Sequence, residues 1–413
     1  MRTTMTISAE NFKKAVRASV SCGAKVGSVS ALWHVYMDIG RNGAFMATNL
    51  EQYVRCTFNA NAAGGEDTIG VCVDNNLLKK IASIKGDSIT FTYDTEKDRE
   101  LKLSNGKKVI TLACYPVDNS YGSNDFNRES YSYPFDMDRE KVMEIECDEL
   151  LTAIKNLSVF RSKIDNKPIL CGYHFNGEDN TIETIDGYHC CRKEWKSGML
   201  DSGYFETVGG YLNNIKNVID KYENVTVYGV EFNKASKTKH SRYKYTMFST
   251  MQDDMLIEYA VRNLQGEFHP VKSAYPVSFS AKGTVKVNSL MEICKEYSKF
   301  ISEKAVMPII FHQVDDVVYT GLRTPSIKLC DPTEIKMDGV FPTAGYKNAF
   351  LMDCLSVFDK NDTIRMRANG NLNPVLIEND EYHALVLPVR LQTDKSDVEE
   401  IKNDIALLNN KAV

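Results

Sequence analysis

Residues 143–160 read MEIECDELLTAIKNLSVF. A short alternating run leads into a polar residue, and an amphipathic helical pattern follows. The same grammar recurs at 5–20, MTISAENFKKAVRASV, and at 285–301, VKVNSLMEICKEYSKFI. Ser8, Asp148 and Asn288 stand where a helix N-cap is wanted. Self-similarity at a fixed offset is the mark of a repeated architecture.

A second pattern sits midway through each copy. It appears at 69–94 (IGVCVDNNLLKKIASIKGDSITFTYD), at 204–231 (YFETVGGYLNNIKNVIDKYENVTVYGVE) and at 339–368 (GVFPTAGYKNAFLMDCLSVFDKNDTIRMRA). Each reads strand, short helix, polar turn, strand. Between the helices lie period-2 runs such as LWHVYMDI, PILCGYHFN and MPIIFHQ, the pattern of half-buried antiparallel strands. The chain is therefore predicted to be α+β, with three structurally similar domains, each packing two helices on antiparallel sheet. The predicted domains are 1–135, 136–277 and 278–391, with helices over 8–20, 75–85, 148–160, 210–222, 288–299 and 345–358.

At 413 residues, 43% hydrophobic and 25% charged, the composition is that of a globular protein, too long for a single core. No apolar run is long enough to span a bilayer, and the N-terminus lacks an apolar signal region, so a cytoplasmic protein without membrane contact is expected. Eleven cysteines without a CxxC spacing imply reduced thiols. Net charge is −5, yet the six helical segments together carry +5, which leaves −10 elsewhere. Neutral-to-basic helices on an acidic chain give one face that attracts phosphate. Its candidates are Lys13, Lys14, Arg17, Lys79, Lys80, Lys155, Lys216, Lys295 and Lys299. Lysines placed only for solubility would give the same count.

The repeat, the charge bias and two strings together resemble the β sliding clamp family, the processivity subunits of bacterial DNA polymerase III. One string is KPILCGYHFNGEDNTIETIDGYHCCRKEW at 167–195. The other is NPVLIENDEYHALVLPVRL at 373–391, similar to the family's C-terminus. The resemblance covers roughly residues 1–391. It implies a DNA clamp fold in which two subunits close head to tail into a ring, with the helices lining a hole for double-stranded DNA and binding independent of sequence. It implies no catalysis and no cofactor. Its implied partners are a DNA polymerase catalytic subunit, a clamp loader and repair proteins bearing clamp-binding peptides.

The resemblance also implies a hydrophobic cleft for such peptides. By matching motif it comprises Leu170, Ile185, Gly187, Tyr188, His189, Cys190, His269, Ser273, Ala274, Phe350, Pro374, Leu385, Leu387, Pro388, Val389 and Arg390. Tyr188-His189 stands where the family commonly has His-Arg, and Leu387 and Val389 replace methionines. Lys25 and Lys167 match basic DNA-side positions, while Pro168 and Ile169 replace two aromatics. The implied ring interface uses Ile110 and Leu112 of the first domain with Phe300 and Ile301 of the third, unless these fill their own cores.

The chain runs on past Leu391. Ser396 and Glu399 form a capping box, and Val398, Ile401, Ile405 and Leu408 share one helical face. A lone short helix is marginal in water. The 392–413 tail should therefore dock on an outer wall as a stabiliser or beside Arg390 as a competitor of partner peptides, or else stay disordered. The histidines show no metal-ligand spacing, and no P-loop, GxGxxG or GxSxG occurs. Two alternatives remain, a non-ring three-domain DNA-binding scaffold and a three-domain α+β enzyme. The latter would use IDGYHCC, with His189 beside Cys190 or Cys191.

Overall fold

The computed structural model describes residues 2–24, 29–63, 68–97, 99–117, 127–164, 166–220, 222–232, 242–252, 254–301, 307–391 and 396–410. It is α+β, as the patterning predicts. The helices among the described residues are α1 (Ala9–Cys22), α2 (Asn75–Ile81), α3 (Arg128–Ser132), α4 (Cys147–Leu157), α5 (Ile215–Val218), α6 (Val287–Ser298), α7 (Asn348–Leu355) and α8 (Ser396–Asn410).

The repeat is physical. In each copy the strand before the first helix pairs antiparallel with the strand after the second. Arg2–Ser8 pairs with Ser88–Asp94, Arg139–Glu146 with Asn224–Phe232, and Ala281–Lys286 with Thr363–Ala368. The sequence separation is large, so the ladder rather than local propensity brings the two halves of a copy together.

The chain forms two compact units. Unit 1 comprises residues 1–154, 175–180 and 196–267. Its larger sheet runs through Arg139–Glu146, Asn224–Phe232, Tyr243–Gln252, Met255–Leu264, Gln52–Phe58, Ala44–Thr48, His34–Ile39 and Ile69–Asp74. The seven-residue register Met255↔Phe58 to Val261↔Gln52 makes strands of the first and second copies one sheet. A five-stranded sheet ends on the edge strand Val109–Ala113. Between the sheets, α1 buries Phe12, which meets Phe45 of one and Phe91 of the other edge-on at 6.3 and 5.7 Å. Buried Glu258 joins the elements of the larger sheet. Its carboxylate lies 2.7 Å from both Arg55 and Arg139, one on each flank.

Unit 2 comprises residues 155–174, 181–195 and 268–413. One sheet runs through Thr181–Ile185, His189–Glu194, Tyr382–Val386, Val375–Glu378, Thr363–Ala368, Ala281–Lys286 and Lys336–Gly339. A second has the order Lys328–Pro332, Val317–Arg323, Pro308–Val314, Ala344–Lys347. α6 and α7 meet through a hydrogen bond from Asn348 Nδ2 to the Cys294 carbonyl, 2.8 Å.

Several sequence expectations need correcting. Ser8 caps α1 and accepts from Asn11 N at 3.1 Å. Asp148 and Asn288 do not cap. They sit inside the first turns of α4 and α6, where Asp148 suits the helix dipole and Asn288 Nδ2 donates to Glu292. The helix expected over 75–85 ends at Ile81, and its cap is Asp74, which accepts from Asn76 N and Leu77 N. The helix expected over 210–222 is only a 3-10 turn, Gly210–Asn214, followed by α5. Gly209, Gly210, Asn213 and Asn214 are poor helix formers, and tertiary bonds hold the segment, among them Asn214 Nδ2 to Gln52 Oε1 at 3.0 Å and Tyr259 Oη to the Tyr211 carbonyl at 2.6 Å.

The tail is helical. Ser396 begins α8, although its side chain, like residues 392–395, lies outside the described set. Ile401 and Ile405 are buried against Ile310 and Tyr319. Val398 is half-buried, while Leu408 is exposed, so the apolar face is shorter than its spacing implies.

Glu258→Ala should leave Arg139 without its carboxylate partner and Arg55 with Asp136 in place of two. Because both are part-exposed, a loss of about 3 kcal/mol is expected from urea unfolding. A change within about 0.5 kcal/mol would show the triad to be incidental.

Candidate functional site

The peptide-cleft residues predicted from the sequence all belong to unit 2. The register explains how they assemble. Ile185 opposes Cys190, Cys190 opposes Leu385, and Leu385 opposes Leu376. Side chains alternate along a strand, so this row shares one face. Val271 packs on it, with Tyr275 and Phe279 at its margin. The 3-10 turn Val271–Ala274 is fastened there by Glu183, whose Oε2 accepts from Val271 N at 2.7 Å. Cys190 and Leu385 are buried and form the floor. Ile185 is half-buried at the rim, and Ser273 and Ala274 are exposed beside it.

The opposite face carries aromatic rings. His189 stacks on Phe350 of α7 at 4.3 Å, Phe350 stacks on Tyr188 at 6.0 Å, and Phe160 lies 4.8 Å from His189. Tyr188 is 65% exposed and Leu387 39%. Lys347 holds its ammonium 4.4 Å over the Phe350 ring. The tight turn comes from Gly187, whose φ of +97° favours glycine. Asp186 completes the turn by accepting from Tyr188 N and His189 N at 2.8 and 2.9 Å.

Pro388 has a clear place. Leu387 N donates to the Tyr188 carbonyl at 2.9 Å, and Val389 N donates to the Gly345 carbonyl at 2.8 Å. Between them the chain changes neighbour, and the residue at the change needs no N–H. Leu170 is half-buried in the turn Pro168–Cys171, Pro374 is half-buried before its strand, and His269 and Arg390 are exposed.

The sequence did not reveal the charge under this surface. His189 is 3% exposed. Its Nδ1 lies 3.0 Å from Asp186 and its Nε2 3.3 Å from Asp353 of α7, contacts of ion-pair distance without in-line hydrogen-bond alignment. Burial opposes a charged ring, but Asp186 and then Asp353 outweigh it and hold the His189 pKa above its ordinary 6.5. Asp186 responds in the opposite sense: despite burial, His189 keeps it below the usual carboxylate value. The only signal available was the i, i+3 spacing of Phe350 and Asp353, which puts both on one face of α7.

Burial pushes the thiols of Cys190 and Cys191 well up from their ordinary value. A thiol held protonated is a poor nucleophile, which weighs against the Cys–His reading.

The basic candidates divide between the units. In unit 1, Lys13, Arg17, Lys79, Lys80 and Lys216 are exposed on α1, α2 and α5, while Lys14 is half-buried and paired with Glu10 at 2.9 Å. Arg17 spans α1 and α5, bonding Asp220 at 3.2 Å and the Lys216 carbonyl at 3.0 Å. An open groove lined by Val16, Arg17, Trp33, Asn75, Lys79 and Asn217 runs between these helices. In unit 2, Lys155, Lys167, Lys295 and Lys299 are exposed. Lys25 lies outside the described residues. Of the interface candidates, Ile110 and Leu112 oppose Leu103 and Leu101 in unit 1. Leu112 is buried in its own core and Ile110 half-buried. In unit 2, Phe300 is 41% exposed and Ile301 half-buried after α6.

Asp353→Asn should lower the His189 pKa, read from its ring-proton shifts. The His189 contribution to stability should be complete below about pH 6.5 and fade as pH rises through the folded-state pKa. The variant should show a weaker fade, and an identical titration in both proteins would remove Asp353 from the cluster.

No family model and no curated protein sequence matches the chain. Solved structures do. A structure described as a DNA polymerase III beta subunit from Eubacterium rectale superposes with a TM-score of 0.78 at 17% identity, covering 95% of this chain and 100% of that one. A DNA polymerase sliding clamp from Bacillus subtilis gives 0.77 at 13%, with the same coverage. The DNA polymerase III beta subunit from Thermotoga maritima gives 0.74 at 17%, over 94% and 100%.

Proposed function

We propose that this chain, which has the fold of DNA polymerase III beta subunits, is a DNA sliding clamp. It confers processivity on a replicative polymerase by encircling duplex DNA. The observation that carries this reading is the threefold strand–helix copy, matched over 95% of the chain by clamp structures. In this reading the domains are 1–135, 136–277 and 278–391. Two copies join head to tail. Support for that junction comes from two sheet margins, the edge strand Val109–Ala113 in unit 1 and the edge strand Lys328–Pro332 in unit 2. An exposed edge with unpaired backbone groups is a natural site for a second chain.

The DNA side is made by exposed lysines on helices of both units. Such contacts go to phosphate, read no sequence and leave the protein free to slide. The protein breaks no bond and acts by holding the polymerase to its template. Polymerase, clamp loader and repair proteins dock through short extended peptides whose apolar anchors lodge beside Ile185 and Leu387. With a floor of Cys190, Leu385 and Leu376 already buried, the surface is preformed, so little ordering cost falls on the protein.

Native mass separates this reading from a non-ring scaffold. The clamp should weigh twice 46.6 kDa and stay on closed circular DNA but not on the same DNA once linearised. A monomer that leaves both forms equally would overturn the proposal. For the cleft, Leu387→Asp places a charge among apolar anchors. It should weaken binding of a labelled peptide with leucine and phenylalanine anchors by at least about tenfold (~1.4 kcal/mol) while leaving the native mass unchanged. Equal affinity would move the peptide site elsewhere.

A further inference from the structure

The tail helix sits at a particular place in unit 2. Along Val317–Arg323, Thr320 faces α6, where Tyr297 Oη meets its carbonyl and hydroxyl at 3.1 and 3.2 Å. Residues 319, 321 and 323 face the other way, and α8 lies there. Ile401 and Ile405 pack on Tyr319 and Ile310, and a Cβ on Gly321 would stand 2.6 Å from Ile401 Cδ1. Glycine is required there because the helix comes that close.

Charge fixes the helix in register. Residues 396–410 carry a net −3. The guanidinium of Arg323, whose side chain is only 6% exposed, meets Asp404 at 2.6 Å and Glu400 at 3.5 Å. Lys328 reaches Glu400 at 2.8 Å, and Tyr319 Oη donates to Asn409 at 3.0 Å. A buried guanidinium without these carboxylates would be costly. This face is therefore built for an acidic amphipathic helix, and α8 is its occupant.

One more residue belongs to the same cluster. Leu391 packs against the cluster of Ile310, Tyr319, Ile401 and Ile405, and its Cδ2 would touch a Cβ on Gly345 at 2.7 Å. The segment 387–391 is thus held at three points: Leu387 N on Tyr188, Val389 N on Gly345, and the Leu391 side chain against the cluster that α8 completes with Ile401 and Ile405. The first two hold residues of the proposed cleft. The third lies directly after Arg390. A chain end that is not tied down frays.

We infer that α8 is a clasp for the cleft. By docking on the Ile310–Tyr319–Gly321–Arg323 face it holds Leu391, and through Leu391 it sets the rim formed by Leu387, Pro388 and Val389. Peptide affinity then depends on whether α8 is seated. This role rests on the peptide-cleft reading above. It is the reverse of competition, since α8 raises affinity without touching the anchor sites.

Two full-length variants unseat the helix. Gly321→Val leaves α8 intact and puts a β-favouring side chain into Ile401. The pair Ile401→Asp and Ile405→Asp leaves the sheet intact. Release is verified by proteolysis within 396–410. Hydrogen exchange of the Val389 amide should accelerate in both, and affinity for the labelled leucine–phenylalanine peptide should fall by about tenfold. A synthetic peptide of residues 396–410 added to the Ile401/Ile405 variant should restore both, which general destabilisation would not allow. Unchanged exchange at Val389 with α8 released would overturn the inference. If the unaltered protein binds no peptide, the cleft reading fails, and the exchange result still decides whether α8 holds the rim.

Discussion

One constraint organises the molecule: in every copy the strand that enters the first helix must pair with the strand that leaves the second. The ladder Ile7↔Ile89 in the first copy has its counterparts at Ile145↔Val225 and Val285↔Ile364. Because each ladder joins distant segments, it brings the two halves of each copy together. Where copies abut within a unit, the same chemistry continues: Val261↔Gln52 in unit 1 and Cys190↔Leu385 in unit 2 extend the sheet across the boundary.

The proposed cleft is a by-product of such a junction. At Cys190↔Leu385 a strand of the second copy meets the last strand of the third, and both end there. An ending pair leaves side chains with neighbours on one side only, which is why Ile185, Tyr188 and Leu387 stay partly open above a sealed floor. Gly187 and Asp186 turn one strand away, and Pro388 releases the other. On the opposite face His189 lies between Asp186 and Asp353, and moving its ring would separate it from both.

Much of this could be read from residues alone. The change from period 2 to period 3.6 is local, and it marked every strand–helix unit. The 3-4-3 spacing from Val398 to Leu408 marked α8, and the odd placement of Pro388 marked a sheet margin. What escaped was non-local or weakly encoded. The 210–222 segment was expected to be one helix, but Gly210, Asn213, Asn214 and Asn217 are poor helix formers and leave a 3-10 turn followed by the four-residue α5. Asp353 is far from His189 in the chain, so their pairing could not be seen. The seat of α8 depends on Gly321, a residue whose meaning appears only when Ile401 is in place.

Electron cryo-microscopy of the full chain in solution tests the central claim most directly. The account predicts a closed ring of two chains, with α1, α2, α4, α5, α6 and α7 lining a hole wide enough for duplex DNA. An open single chain, or a ring whose helices face outward, would contradict it.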